Sequence, residues 1–406
     1  MTQKEQVSRY HPELYLENTK APVQLLGLAT LLSPFADHTS AQRGMMFSNH
    51  LPQAQCLSGG EMPKVMTGYE PLLGEYEYNT TDRDQGIQIL DTIPRFIVNT
   101  GLYPIHMNPS YTVIYRGEDN KVGSFQLNKW TYRSDGFGYK NILMNLEKLN
   151  KGNYIDKDVK LSTSPIHDGD GYGLGTNLRC AYMSIPQVTE DAVVISESAA
   201  QKLAACGMGK ISFKILPNQL PLNLYGTDDE YKFMPDVGEL VHDDCILCSL
   251  RTPTEDSIIS DIDSENLHQI HHLHDTTFYV PQKSEIVDIE VYINRKCKIK
   301  TPSEVFTQAE KYKSAINEYY LRIWKQYQKV SKEGYELTPE FNTLVTTALG
   351  NLLADNVRVE GYSRKSDMTL YRKKEPIEFI QLVITYAYPK PVGLGSKLTG
   401  RYGNVE

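Results

Sequence analysis

From residue 301 to 333, apolar and aromatic side chains return every three or four positions: Phe306, Ala309, Ile316, Tyr320, Ile323, Tyr327 and Val330. That spacing puts them on one face of an α-helix. Thr301 and Glu304 have the spacing of a capping box, and Pro302 suits the first helical position. The prediction is one amphipathic helix of about eight turns. Its aromatic stripe reads as a packing surface rather than a binding box. A second helix is expected from Thr338-Pro339 towards Ala354.

The rest of the chain reads mainly as strands, so the fold class is α+β. In SEIVDIEVYI, Val287, Ile289, Val291 and Ile293 should share one sheet face. VGELVHDDCILCSL alternates in the same way, and IEFIQLVITYAYPKP is a strongly apolar strand. LRCAYMSI and DAVVIS, within 178–196, have strand length and flank the turn-like PQVTE, so two buried strands are expected there. Residues 198–205 suit a short helix. Residues 53–175 are rich in Gly, Tyr, Thr and Asn, which suggests short strands and long connections. Near the start, SPFADHTSAQRGMMFSNHLP reads as a turn, a helix capped by Thr39 or Ser40, and a stop at Pro52.

Composition narrows the function classes. The chain of 406 residues is 40% hydrophobic and 23% charged, an ordinary globular balance. No apolar run is long enough to cross a bilayer, and MTQKEQVSRYHPELY lacks the apolar centre of a signal peptide. Six cysteines with little pattern suit a reducing, cytoplasmic setting. A net charge of −8 excludes a whole-surface nucleic-acid coat but leaves room for a local basic groove. From Arg358 to Arg401 there are nine Lys/Arg against four Asp/Glu, so the last part is cationic.

Several motifs invite chemistry. DGDGYGLG at 168–175 has the opening of a cation loop, but Arg179 stands where a calcium loop needs its bidentate Glu. It reads as a Gly/Asp turn. His268, His271, His272 and His274 cluster in HQIHHLHD, with no adjacent cysteine pair to complete a zinc site. Cys245 and Cys248, with His242 upstream, lack a second pair and fall in a strand-like run. Glu190-Asp191 sits at a turn between apolar runs, where paired carboxylates can serve a divalent cation. Arg43 lies on a short helix, and arginine is a fork suited to phosphate. The last residues, GSKLTGRYGNVE, combine glycines with Lys397 and Arg401, a composition suited to holding an anion.

Four of these segments, in order, resemble the β subunit of multisubunit DNA-directed RNA polymerases. PFADHTSAQRGMMFSNHLPQAQ is similar to the family's PFxEHDDANRALMGxNMQRQA, and GLGTNLRCAYMSIPQVTEDAVVISE to its LGQNxxVAFMPWxGYNFEDSIxISE. DTTFYVPQKSEIVDIEVYI resembles the family's flap strands. VITYAYPKPVGLGSKLTGRYGN resembles VYxAxKRxIQxGDKxAGRHGNKG. The likeness runs from about residue 25 to the end. It implies a barrel-like core of the RNA polymerase β type, with an inserted flap or wall module and long helices. The implied division is a lead-in over 1–30, a core segment over 31–205, the flap-like module over 206–375, and a return strand and loop over 376–406.

The resemblance also implies roles. Arg43 matches the arginine that touches the incoming triphosphate. Asp191 and Glu190 match the carboxylates beside the active-site metal, and Lys397 matches the lysine on phosphate at the growing RNA end. Asn49 and Gln53 match polar positions near the template hybrid, and Arg401 falls in the same nucleotide-facing loop. Phosphoryl transfer needs charge neutralisation and in-line positioning, which explains these residue types. The implied cofactor is Mg2+, held mainly by a β′-like partner. The implied partners are that subunit, the remaining part of β, template DNA, nascent RNA and nucleoside triphosphates, with no membrane. Departures are Phe47 for a glycine, Pro52 for an arginine, Tyr402 for a histidine and Val405 for a second lysine. The divergence resembles the split β-like subunits of giant bacteriophage polymerases, where another chain completes the fold. The implied setting is the cytoplasm, or the host cytoplasm or virion for a phage-encoded chain. The alternative is a non-catalytic assembly or regulatory protein on the same scaffold.

Overall fold

The computed structural model describes residues 27–77, 85–95, 110–133, 136–157, 159–168, 171–188, 192–227, 230–252, 275–294, 303–355, 357–360, 362, 371–372 and 375–404. Within them the fold is mixed α+β. The helices are α1 (Leu28–Leu31), α2 (Ala41–His50), α3 (Glu70–Glu77), α4 (Glu197–Lys202), α5 (Ser303–Glu333) and α6 (Pro339–Ala354). None of the described helices is long and apolar enough to cross a membrane. The strands of the two large sheets are, in chain order, β1 (Ile87–Pro94), β2 (Tyr111–Gly117), β3 (Lys121–Leu127), β4 (Trp130–Tyr132), β5 (Phe137–Lys140), β6 (Tyr154–Ile155), β7 (Ala205–Ile215), β8 (Glu285–Ile293), β9 (Glu336–Leu337) and β10 (Ile380–Lys390).

Helix α5 organises the interior. It spans 31 residues, about 46 Å at the α-helical rise. Its first half packs Val305, Ala309 and Tyr312 into a core with Ile289, Val291, Leu382 and Ile384. Its second half packs Tyr319, Ile323, Trp324 and Val330 against Phe341, Val345, Ala348 and Leu352 of α6 and against Ile93, Ile114 and Val122. The expected stripe is therefore rotated in part. Phe306, Ile316, Tyr320 and Tyr327 are only half-buried, while Tyr312, Tyr319 and Trp324 go inside. One helix serving two cores cannot keep a single face. The proposed capping residues Thr301 and Pro302 lie outside the described residues. Thr338 caps α6 as expected, accepting a hydrogen bond from Phe341 N, with Pro339 in the first turn.

The first sheet has the order β9-β3-β2-β1-β6. Its two faces enter different cores. Ile87 and Ile89 pack with Val113, Leu127 and Leu161, whereas Ile93 faces α5 and α6. A bulge between Ile89 and Asp91 makes the switch. It also turns Asp91 towards α5, where Arg322 Nη2 and Gln326 Nε2 donate to its carboxylate at 3.2 and 2.7 Å.

The second sheet has the order β8-β10-β7-β5-β4. Strand β10 is central. It pairs with β7 from Ala205↔Lys390 to Ile215↔Ile380, and with β8 from Glu285↔Ala387 to Ile293↔Ile380. The sheet thus runs across the boundaries expected at 205/206 and 375/376. A bulge between Ile286 and Asp288 in β8 changes which residues point inward. Ile289, Val291 and Ile293 are buried as expected, but Ile286 replaces Val287 in the core.

Two further sequence expectations differ from the structure. Residues 178–184 and 192–195 form no strand; one isolated bridge joins Ile185 and Val188. Tyr182 is 94% and Met183 69% exposed, and Val194 is also exposed. These runs have the apolar character of buried strands, but no described strand of this chain pairs with them. Cys245 lies at a turn with φ of 63°, just before the strand Ile246–Arg251, in which Cys248 is buried. The histidine cluster lies outside the described residues. Asp168 of DGDGYGLG closes a short hairpin and accepts a hydrogen bond from Met62 N at 3.0 Å, as a structural turn residue does.

Candidate functional site

The site forms where the segment after β10 returns to α2. Ser40 caps α2, its hydroxyl accepting from Arg43 N, which fixes Arg43 in the first turn. Ser48 Oγ on the same helix is 2.9 Å from Thr30 Oγ1 of α1, and Phe47 on α2 is buried. Phe47 is 4% exposed, and its backbone N lies close under Gly403 of the approaching loop.

After Lys390 the chain makes a turn, with Ser396 N donating to Gly393 O and Gly393 N to Ser396 Oγ. Lys397 follows and is exposed. It has no ion-pair partner among the described residues. Residues 399–404 then fold back on themselves: Thr399 Oγ1 and Gly400 N both donate to Asn404 O. This loop docks on α2. Arg43 Nη1 donates to Gly403 O at 3.1 Å, Ser33 Oγ donates to Arg401 O at 2.9 Å, and Thr399 Oγ1 lies 3.5 Å from His50 Nδ1.

Gly403 has φ of 67°. A Cβ there would stand 2.6 Å from Arg43 O, 2.7 Å from Met46 Cβ and 2.9 Å from Phe47 N. Only glycine allows this approach.

Arg401 turns inward. Its Nη1 is buried and lies 3.8 Å from Glu70 Oε1. Glu70 was not singled out from the sequence. It is 2% exposed, and its carboxylate accepts hydrogen bonds from Thr67 N, Thr67 Oγ1 and Gly68 N at 3.0–3.1 Å. The available signal was the Thr67-x-x-Glu70 spacing of a capping box at the start of α3.

Of the residues expected at the site, Arg43, Lys397 and Arg401 belong to these two touching segments. Asn49 and Gln53 are exposed on and just after α2. Glu190 and Asp191 lie outside the described residues, as does Val405. Among the described residues no group of three or more His, Cys, Asp or Glu side chains could hold a metal ion.

A second knot steadies the region before residue 190. Glu61 N donates to Gly175 O, and the Glu61 carboxylate accepts from Asn177 N at 3.0 Å and Asn177 Nδ2 at 3.1 Å. Lys202 Nζ of α4 approaches it to 2.5 Å. The Lys202 bond first, then the Asn177 N–H groups, pull the Glu61 pKa from 4.5 down to about 2. A carboxyl whose pKa is depressed on folding adds stability above its unfolded value and loses it as pH falls through the folded value. Glu61→Gln should therefore be less stable than wild type near neutral pH, and the two should converge as pH drops from about 4.5 to about 2. Urea unfolding across that range checks it; parallel curves would contradict the assignment.

No protein-family profile matches the chain. Individual relatives do. The DNA-directed RNA polymerase subunit beta of Gloeobacter violaceus is 26% identical over 220 residues, 54% of this chain and 18% of that protein. That of Bacteroides fragilis is 29% identical over 187 residues, 45% of this chain and 14% of that protein. That of Dinoroseobacter shibae is 26% identical over 221 residues, 54% and 15% respectively. Over about half its length, this chain is similar to RNA polymerase β subunits. Its mixed α+β fold is consistent with the β type. The chain spans less than a fifth of the length of these β subunits.

Proposed function

We propose that the chain is the part of a DNA-directed RNA polymerase β-like subunit that presents cations to the reacting phosphates. The observation that carries this reading is the docking of the Lys397 loop on the Arg43 helix, a contact across 360 residues of sequence. Nucleotidyl transfer is mainly a matter of positioning and charge neutralisation. Arg43 spends Nη1 on Gly403 O, and its Nη2 and Nε have no partner among the described residues. Those groups form a fork for the triphosphate of an incoming nucleotide. Lys397, a mobile point charge on an exposed turn, suits the phosphate at the RNA 3′ end. Asn49 and Gln53 are exposed and suit polar contacts along the hybrid. Arg401, committed to Glu70, acts through the loop backbone.

In this reading Mg2+ sits on the β′-like partner, with Glu190 and Asp191 beside it. The other partners are the rest of β, template DNA, nascent RNA and nucleoside triphosphates. The exposed runs 178–184 and 192–195 support the need for the rest of β. Their Tyr, Met and Val side chains and unpaired backbone suit β-strands supplied from elsewhere. In this reading the chain resembles the split β-like subunits of giant bacteriophage polymerases and works in the host cytoplasm or virion.

The test is primer extension by the assembled polymerase with and without this chain. Extension should require it. A complex lacking the chain that extends RNA at the same rate would overturn the reading in favour of a non-catalytic assembly role.

A further inference from the structure

Glu70 does more than its local cap requires. A capping carboxylate normally stands in solvent at a helix start, where the hydrogen bond and the dipole together contribute a modest amount. Glu70 is instead buried at 2% exposure. It meets a guanidinium nitrogen, Arg401 Nη1, that is itself buried and has no hydrogen-bond partner among the described residues. A buried charge is tolerated where an opposite charge faces it, and removing one partner strands the other. The Glu70–Arg401 pair therefore fixes where Arg401 lies.

Arg401 in turn fixes the loop. Its carbonyl accepts from Ser33, and two residues on, Gly403 O accepts from Arg43. Ser33 is 3% exposed, so this end of the loop is held from within the protein. The contacts form one line: the α3 cap, Glu70, Arg401, the loop backbone, and the Arg43 guanidinium. Lys397 leaves the same loop two residues before Thr399.

We infer that Glu70 is a positioning residue: through Arg401 it sets the 399–404 loop and thereby the orientation of Arg43 and Lys397. This rests on the proposed role of Arg43 and Lys397 in nucleotide addition. Its structural half, that Glu70 holds the loop, stands apart from that role.

The experiment has two readouts. In the full chain, hydrogen exchange of the 399–404 peptide is compared between wild type, Glu70→Gln and Glu70→Asp. In the assembled polymerase, KM for nucleoside triphosphate and kcat are measured for the same variants and for Arg43→Ala. Glu70→Gln should speed exchange in 399–404 while β10 stays protected. It should raise KM roughly 10-fold, the size of a typical coupling between sites. Glu70→Asp, which keeps the charge, should recover part of both effects. Should Glu70→Gln also expose β10, Arg401→Gln carries the test, because it leaves the Thr67–Gly68 cap intact. Combining Glu70→Gln with Arg401→Gln should add little to the worse single change.

Unchanged loop exchange and KM in Glu70→Gln and Arg401→Gln, with Arg43→Ala impaired, would overturn the inference and leave the functional proposal standing. Faster loop exchange with wild-type kinetics in every variant, Arg43→Ala included, would keep Glu70 as the loop's holder. It would sink the nucleotide role and the kinetic half of the inference together.

Discussion

Lys397→Ala will slow nucleotide addition by the assembled polymerase roughly 10- to 100-fold, the effect of losing one charge-assisted hydrogen bond worth about 1.5–3 kcal/mol. The side chain is exposed and pairs with no carboxylate among the described residues, so its removal costs the fold little. The turn that presents it is held by Gly393 and Ser396 instead. Thermal unfolding should therefore match wild type while single-turnover extension falls. Lys397→Arg should retain part of the rate, since the charge persists but the geometry differs. A wild-type rate in Lys397→Ala would remove the residue from the phosphate contacts.

Gly403→Val should detach the loop from α2. A left-handed φ costs a side-chain-bearing residue about 1–2 kcal/mol, and overpacking adds about 1–3 kcal/mol. The added atoms meet Arg43 O and Phe47 N, which are helix backbone and cannot swing aside, and Met46 Cβ. Loop and helix must separate, and the Arg43–Gly403 and Ser33–Arg401 bonds go with them. Trypsin should then cut after Arg401 faster than in wild type, and nucleotide addition should fall more than in Lys397→Ala because both cations are displaced. Gly403→Ala should show the same direction at smaller size. Unchanged cleavage and rate in Gly403→Val would mean that the loop does not depend on this approach.

How much of this was legible in the sequence depended on how local each cause is. The α6 start was readable because Thr338 and Pro339 act within one turn. The course of α5 was readable from its period, but not its buried face. Tyr312 and Tyr319 go inside because the helix passes from one core to another, a fact of sheet placement. In β8 the alternation held at Ile289, Val291 and Ile293 and broke at Val287, where a bulge shifts the parity. Residues 178–184 and 192–195 misled for a different reason. Their apolar pattern records burial that no described part of this chain provides.

The site divides in the same way. Arg43 and Lys397 were visible through motif resemblance, and the structure shows their segments touching. The capping-box spacing at Thr67 and Glu70 was present in the sequence, but its partner Arg401 lies at the far end of the chain. An ion pair of that separation is set by tertiary structure alone.

The proposed role of this chain is to meet the phosphates of nucleotide and RNA. Its most direct test is a primer with a photoreactive thiouridine at the 3′ end, irradiated in the assembled, extending complex and mapped by peptide. A cross-link within 393–404, weakened in Gly403→Val, is the expected result. Robust extension with every cross-link on other chains and none on this one would contradict it.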